Sequence, residues 1–245
     1  MHQLIVLVAG FGAGAINSMA GGGTLVSFPT LIWLGVPSIV ANATNTVALW
    51  PGSLAGVWGY RREMRGADPR VYMLIVPSLI GGLLGAMLLR RTPTEVFDRL
   101  VPVFILFATC LFMAQEPIQR RFNLAASHHQ TFALFFQFLV GIYGGYFGAG
   151  IGILMLAALS IMGHTDIHQM NGLKNLLAAA INAIAALYLI SAGLIDWPDA
   201  IVLAIGAVIG GVAGAGMARR IGRTAVRRIV IVIGFVMALS LMLRL

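Results

Sequence analysis

The fold is decided by a break in an apolar stretch, LIVLVAGFGAGAINSMAGGGTLVSFPTLIWL (residues 4–34). An apolar run over 4–16 meets Asn17 and then Gly21-Gly22-Gly23-Thr24, after which a second apolar run continues to Leu34. In a bilayer, backbone groups must find hydrogen bonds within the protein, so a broken helix is tolerated only inside protein or beside water. The pattern therefore predicts a membrane-embedded hairpin with an interior, glycine-rich break.

The composition places the whole chain in a membrane. Of its 245 residues, 59% are hydrophobic and 10% are charged, whereas soluble domains average about 25% charged residues. So little charge excludes a soluble enzyme, and so much hydrophobicity excludes a disordered chain. At about 20 apolar residues per spanning helix, the sequence predicts an all-α polytopic membrane protein with about eight hydrophobic segments.

The net charge of +8 comes from arginines in short clusters between apolar runs. On a soluble protein this balance would indicate nucleic acid, but arginine clusters at the ends of apolar runs are typical of membrane orientation signals. We therefore expect the lipid bilayer as a partner and no nucleic acid. The arginines after Tyr60 and Met217 predict cytoplasmic loops and place both termini outside, although Arg90 and Arg91 then lie outside too, against the rule.

The second half of the sequence repeats the pattern of the first. Gly148-Ala149-Gly150-Ile151-Gly152 interrupts an apolar run as residues 21–24 do, and residues 171–175 fall where the first half has 42–45. This correspondence predicts two four-segment repeats, 1–122 and 123–245, in one integral membrane domain. Each repeat has three full crossings and one glycine-broken hairpin, and the odd number of crossings inverts the second repeat. In secondary transporters, matching interrupted segments mark the substrate site.

Lys174 is the one basic residue within an apolar stretch, and it is the only lysine. A charge at membrane depth costs about 2.5–3.5 kcal/mol on insertion scales, so such a residue is a functional candidate by default. Alternatively, the side chain extends its ammonium group to the nearby interface. All eight acidic residues lie in or beside predicted loops. A buried ammonium without buried carboxylates favours an anion as cargo over a cation or a proton.

The two breaks are candidate anion sites because each is followed by a new helix, whose N-terminus offers N–H groups and the positive end of the helix dipole. The alternative is that these glycines serve only close helix packing, which is how we interpret Gly81, Gly85, Gly206 and Gly210. The candidate substrate-binding residues are those of the breaks and the polar residues near them: Asn17, Gly21, Gly22, Gly23, Thr24, Thr44, Asn45, Gly148, Gly150, Gly152, Lys174 and Asn175. We expect Asn182 to join helices instead.

Two motifs carry a resemblance to a known family. Gly21-Gly22-Gly23-Thr24-Leu25 with residues 40–45, and residues 144–152 with Asn171-Gly172-Leu173-Lys174-Asn175, resemble the repeated signature of the sulfite exporter TauE/SafE family. The resemblance covers nearly the whole chain, and it departs from strict repetition at Ala149 and Ile151. It implies a transporter of the inner membrane of a bacterium or archaeon, with a duplicated helical core. It also implies organosulfur anions, such as sulfite or sulfonates, as the substrate class.

These observations predict a secondary carrier that moves a small anion by alternating access between the two repeats. The alternative is a passive anion channel or facilitator. We expect no enzyme, because no buried carboxylate pair, His/Glu cluster or Ser–His pair is visible in the sequence. We also expect no cofactor and no metal site, and Cys110 is the single cysteine. The sequence leaves a homo-oligomer open.

Overall fold

In the computed structural model, every regular element among the described residues is a helix. The described residues are 1–19, 22–114, 130–221 and 223–243, without the side chains of 18, 19, 213–221, 223–227 and 229. The α-helices in chain order are α1 (His2–Met19), α2 (Thr24–Trp33), α3 (Ser38–Gly59), α4 (Ile75–Arg91), α5 (Thr94–Met113), α6 (Gln130–Tyr146), α7 (Ile151–Ile161), α8 (Ile167–Ser191), α9 (Trp197–Ile221) and α10 (Arg223–Met242). The predicted all-α class is confirmed for these residues. Gly21 and the predicted repeat boundary at 122/123 lie outside them.

Three helical stretches are long and apolar enough to cross a membrane: Pro69–Arg91, which joins a 3₁₀ helix to α4, then Thr94–Met113 and Ile167–Ser191. Shorter apolar helices accompany them, among them α2 and α7 after the two breaks. Large hydrophobic side chains such as Leu187 and Val232 are exposed on the outer surface, as lipid-facing residues are. The chain is therefore a multi-pass membrane protein.

The chain reverses direction at both glycine-rich breaks. In the first half, Gly12 of α1 lies opposite Val26 of α2, and Ala13 lies opposite Gly23. In the second half, Gly144 near the end of α6 faces Ile151 at the start of α7. Each break therefore forms the tip of a helical hairpin inside the bundle.

The closest helix packing joins the start of one half to the end of the other. Gly14 of α1 lies against the backbone of Ala207 in α9, and Gly210 of α9 lies against the backbone of Phe11. The pair α4 and α6 packs in the same way, with Gly85 against Ile142 and Gly145 against Gly82. The helices of each pair are parallel, because Gly10 meets Leu203 and Gly14 meets Ala207 in the first pair, and Gly81 meets Phe138 and Gly85 meets Ile142 in the second. A Cβ at any of these glycines would collide with a carbonyl oxygen, which confirms the packing interpretation of Gly85 and Gly210.

Helices α3 and α8 cross the centre of the bundle in antiparallel orientation. Gly56 of α3 lies against the Asn175 side chain, and Gly172 of α8 lies against Tyr60. Asn42 fixes α3 to the second hairpin, since its Nδ2 donates to the carbonyl oxygen of Tyr146 at 2.8 Å. The polar starts of both central helices are therefore buried in protein rather than in lipid.

One expectation about charge is wrong, because a carboxylate is buried. Asp199, in the first turn of α9, is only 2% exposed. Its carboxylate accepts hydrogen bonds from His2 Nε2 at 2.9 Å and from Gln3 Nε2 at 3.1 Å. The sequence places Asp199 in a loop region, but α1 packs beside α9 and covers it. The positive end of the α9 dipole also stabilises a carboxylate at this position.

Candidate functional site

A cavity of about 340 Å³ lies at the centre of the bundle, between α1, α2, α3, α7, α8 and α9. Seven of the predicted site residues line it: Asn17, Thr24, Asn45, Gly148, Gly152, Lys174 and Asn175. They come from both halves of the chain and are far apart in sequence. Both hairpin tips and both central helices therefore contribute to one space.

Four predicted residues do not line the cavity. Gly22 packs against the ring of Phe112, and Gly23 packs against the backbone of Ala13. Thr44 faces the other way, where its Oγ1 accepts the N–H of Asp196 at 3.0 Å. Gly150 forms the left-handed residue that precedes α7. These four residues pack against neighbouring protein instead of facing the cavity. Gly21 lies outside the described residues.

Lys174 is the one charged residue among the described residues that line the cavity. Its side chain is 2% exposed, and Nζ donates to Asn171 Oδ1 at 3.1 Å. This hydrogen bond comes from the preceding turn of the same helix and directs the side chain toward the start of α8. The ammonium is therefore enclosed by protein in the described structure.

Two asparagines at corresponding positions of the two halves have different surroundings. Asn45 is engaged on both sides of its amide: its Oδ1 accepts from Ser27 Oγ, and its Nδ2 donates to Thr24 Oγ1 at 3.4 Å. Asn175 is equally enclosed, at 7% exposed, yet its amide makes no hydrogen bond to any residue that the structure describes. An amide in this state has its full hydrogen-bonding capacity available to a molecule in the cavity.

The predicted substrate-binding set leaves out several residues that the structure places in the cavity wall: Gly14, Thr46, Leu49, Gly52, Ser53, Ala55, Gly56, Ala178, Asn182, Ala207 and Gly211. The available signal was helical spacing. Leu49, Gly52 and Gly56 follow Asn45 at intervals of three or four residues, and Ala178 and Asn182 follow Lys174 in the same way. The expectation that Asn182 merely joins helices missed its place in this stripe.

The cavity opens at the end of α3 that precedes the first arginine cluster. Trp58 and Tyr60 line it there, and Trp58 is 68% exposed. The guanidinium of Arg61 lies 4.0 Å from the centre of the Trp58 ring, a cation–π contact. Val212, near the second arginine cluster, lines the same opening and is 73% exposed. Arg61 therefore places a positive charge beside the mouth.

Comparisons with known proteins agree with this architecture. Residues 6–241 match the family described as sulfite exporter TauE/SafE. A probable membrane transporter protein of Haemophilus influenzae is 27% identical, over 95% of this chain and 91% of the relative. The probable membrane transporter protein YfcA of Escherichia coli strain K12 is 25% identical, over 94% of this chain and 86% of the relative. No solved structure matches the chain.

The match extends over nearly the whole bundle and includes both hairpins and both central helices. The curated relatives match over most of their own length as well. The chain therefore belongs to the sulfite exporter TauE/SafE family of membrane transporters.

Proposed function

We propose that the protein is a secondary transporter of a small anion, sulfite or an organosulfonate-like molecule, in the inner membrane of a bacterium or archaeon. The observation that carries the proposal is the buried ammonium of Lys174 in a central cavity that both halves of the chain line. An oxyanion beside an ammonium forms charge-assisted hydrogen bonds, which are roughly twice as strong as neutral ones.

Uncharged groups around Lys174 also attract an anion. Gly152 lies in the first turn of α7 and lines the cavity beside Asn175. No side chain caps α7, so the partial positive charge at its N-terminus is open to a ligand. The Asn175 amide offers two further donors. These groups favour negative charge without a metal ion.

The proposed mechanism is alternating access between two inverted repeats, 1–122 and 123–245. The helix pairing supports this division, because α1 packs on α9 in parallel as α6 packs on α4. If α1–α5 are matched in order with α6–α10, α1 corresponds to α6 and α4 corresponds to α9. The α1–α9 pair then corresponds to the α6–α4 pair. Each proposed repeat has three full crossings and one hairpin, and this odd number would invert the second repeat, as in other transporters whose inverted halves rock around a fixed site.

The two ends of the cavity differ as the mechanism requires. The mouth at Trp58 is open, whereas the opposite end of the bundle is tied by hydrogen bonds. Those are the contact of Thr44 with the backbone of Asp196 and the contact of His2 with Asp199. If the arginine clusters are cytoplasmic, the described conformation faces the cytoplasm. Transport then requires the His2–Asp199 end to open.

Reconstitution of the Lys174→Met variant in proteoliposomes tests the proposal, since methionine removes the charge and keeps a long side chain. We expect uptake of sulfite or methanesulfonate to fall at least tenfold, and Lys174→Arg, which keeps the charge, to retain more of it. Transport by the Met variant at the wild-type rate would overturn the role of the lysine. Flux that never runs against a gradient would identify a passive facilitator instead.

A further inference from the structure

We propose that the cavity takes an organic anion with an apolar segment of several carbon atoms, rather than a bare sulfur oxyanion. The charged group lies at Lys174 and Asn175, and the apolar segment lies along the middle of α3 and α8. This inference rests on the anion transport proposed above and narrows the class of cargo.

The size of the cavity is the first argument. At about 340 Å³, it falls within the range of about 300–1,000 Å³ that is typical of sites for organic ligands. Sulfite has three oxygens around one sulfur and occupies a small part of such a space. The remaining volume would hold water against apolar walls, which is unfavourable compared with apolar contact.

The distribution of polar groups is the second argument. In the antiparallel pair, Gly56 lies against Asn175, so the charged end of the cavity is where Lys174 and Asn175 meet α3. Moving along α8, the next cavity residue is Ala178, followed one turn later by Asn182. At 1.5 Å per residue, Lys174 and Asn182 are separated by about 12 Å along the helix axis. A bare oxyanion at Lys174 would leave this length unused.

The wall opposite Ala178 is mostly apolar and has room; Ser53 also lines the cavity there, and its hydroxyl donates to the Leu49 carbonyl oxygen at 3.3 Å. Leu49 and Gly52 line it on α3, and Ala207 lines it on α9. A Cβ placed at Gly52 would have its nearest neighbour, the Ala207 carbonyl oxygen, at 3.8 Å. Gly52 therefore does not serve close helix packing as Gly14 and Gly85 do, and its missing side chain enlarges the cavity. An alkyl or aryl group of the ligand would make apolar contacts with this section of the wall.

A series of sulfonates with one constant charge tests the inference on the purified full-length protein. We expect the dissociation constant, measured by ligand-induced thermal stabilisation, to fall from methanesulfonate through propanesulfonate to butanesulfonate. Each buried methylene is expected to contribute about a fourfold gain in affinity. Equal affinity for methanesulfonate and butanesulfonate would overturn the inference while leaving anion transport intact. Failure of every sulfonate and of sulfite to bind would overturn the proposed function itself.

A matched pair of variants locates the apolar segment. Gly52→Leu fills the middle of the cavity, whereas Gly59→Leu adds the same side chain at its mouth, where a Cβ meets no atom within 4 Å. We expect Gly52→Leu to weaken butanesulfonate binding at least tenfold and methanesulfonate binding less than threefold. Gly59→Leu is expected to preserve the wild-type ratio. Equal losses for both ligands in Gly52→Leu would contradict the proposed orientation, and the ligand series on the wild-type protein remains decisive if this variant does not fold.

Discussion

The two glycine-rich breaks occupy corresponding places in the two halves, but their backbones are satisfied differently. At the first break, Asn17 Oδ1 accepts the N–H of Gly23 at 2.9 Å. At the second break, Gly148 and Gly150 adopt left-handed conformations with φ of 78° and 76°. Only glycine enters this region without steric cost. The first break is thus held by an asparagine side chain that accepts a backbone N–H. The second break depends on two left-handed glycines and on Tyr143, whose hydroxyl donates to the carbonyl oxygen of Ala149 at 2.8 Å.

The same contrast holds one helix later. Asn45 belongs to the hydrogen-bonded set that holds α2 against α3, whereas Asn175 faces the cavity beside Lys174. The two sequence motifs therefore differ in the structure: both asparagines line the cavity, but only Asn45 is hydrogen-bonded to described residues. The site also has one lysine rather than two, since lysine occurs in the second half only.

The largest expected effect is on stability, at the first break. A Cβ at Gly23 would collide with the carbonyl oxygen of Ala13 and with the Asn17 side chain. Overpacking of this kind costs about 1–3 kcal/mol, occasionally more. We therefore expect Gly23→Ala to lower the free energy of unfolding in detergent by at least that amount, or to abolish folding. Gly12→Ala is the control, because its Cβ would have its nearest neighbour at 3.9 Å; equal stability of the two variants would contradict the packing.

Asn45→Ala should destabilise the protein more than it weakens anion binding. Ser27 and Thr24 would each lose a hydrogen bond to the Asn45 amide, although the Ser27 hydroxyl keeps the Gly23 carbonyl oxygen as an acceptor. Two buried hydrogen bonds at about 0.5–1.5 kcal/mol each predict a cost of about 1–3 kcal/mol. Chemical unfolding of the purified variant measures this loss. A variant with wild-type stability and greatly reduced anion affinity would assign Asn45 to the ligand and remove the contrast between the halves.

Asn17→Ala is expected to cost less, about 1 kcal/mol, because it removes one hydrogen bond to the backbone of Gly23. The change also opens the N-terminus of α2 to the cavity, which makes the first break more like the second. Anion affinity should therefore stay level or rise while the free energy of unfolding falls. A tenfold loss of affinity at unchanged stability would mean that Asn17 itself contacts the anion.

The smallest expected effect is that of Asn175→Ala, and it concerns binding. The amide has no hydrogen bond to lose within the described structure, so the stability of the ligand-free protein should change little. Loss of one neutral hydrogen bond to the anion, about 0.5–1.5 kcal/mol, corresponds to a loss of about two- to tenfold in affinity. Thermal stabilisation by methanesulfonate gives this value. A large fall in stability without ligand would show that Asn175 is a structural residue like Asn45.

The sequence predicted the helical class, the places of both breaks and the burial of Lys174, because these follow from hydropathy and from the demands of backbone hydrogen bonding in lipid. It could not orient individual side chains. Thr44 and Asn45 are adjacent, and one residue of helix rotates a side chain by about 100°, so one binds the Asp196 backbone while the other reaches the cavity. Only the packing of α3 decides which residue faces inward.

Contacts between residues far apart in the sequence also could not be predicted from a single sequence. The burial of Asp199 depends on His2 and Gln3, which lie at the opposite end of the chain. A search for polar residues inside apolar runs passes over Asp199, since its own neighbours resemble a loop. The contribution of Gly52 to the cavity also cannot be predicted from the sequence, because the sequence does not distinguish a glycine that packs against backbone from one that leaves open space.

The crossed pairing of α1 with α9 and of α4 with α6 has a consequence for how the molecule can move and assemble. Backbone-to-backbone contact through glycines leaves no space between these helices, so each pair packs as one rigid unit that combines a helix of the first half with a helix of the second. Any movement of one repeat relative to the other in the proposed transport cycle must therefore preserve these two contacts. During synthesis, α1 cannot pack against α9 until α9 has been made. The first half therefore enters the bilayer before its packing partners in the second half exist.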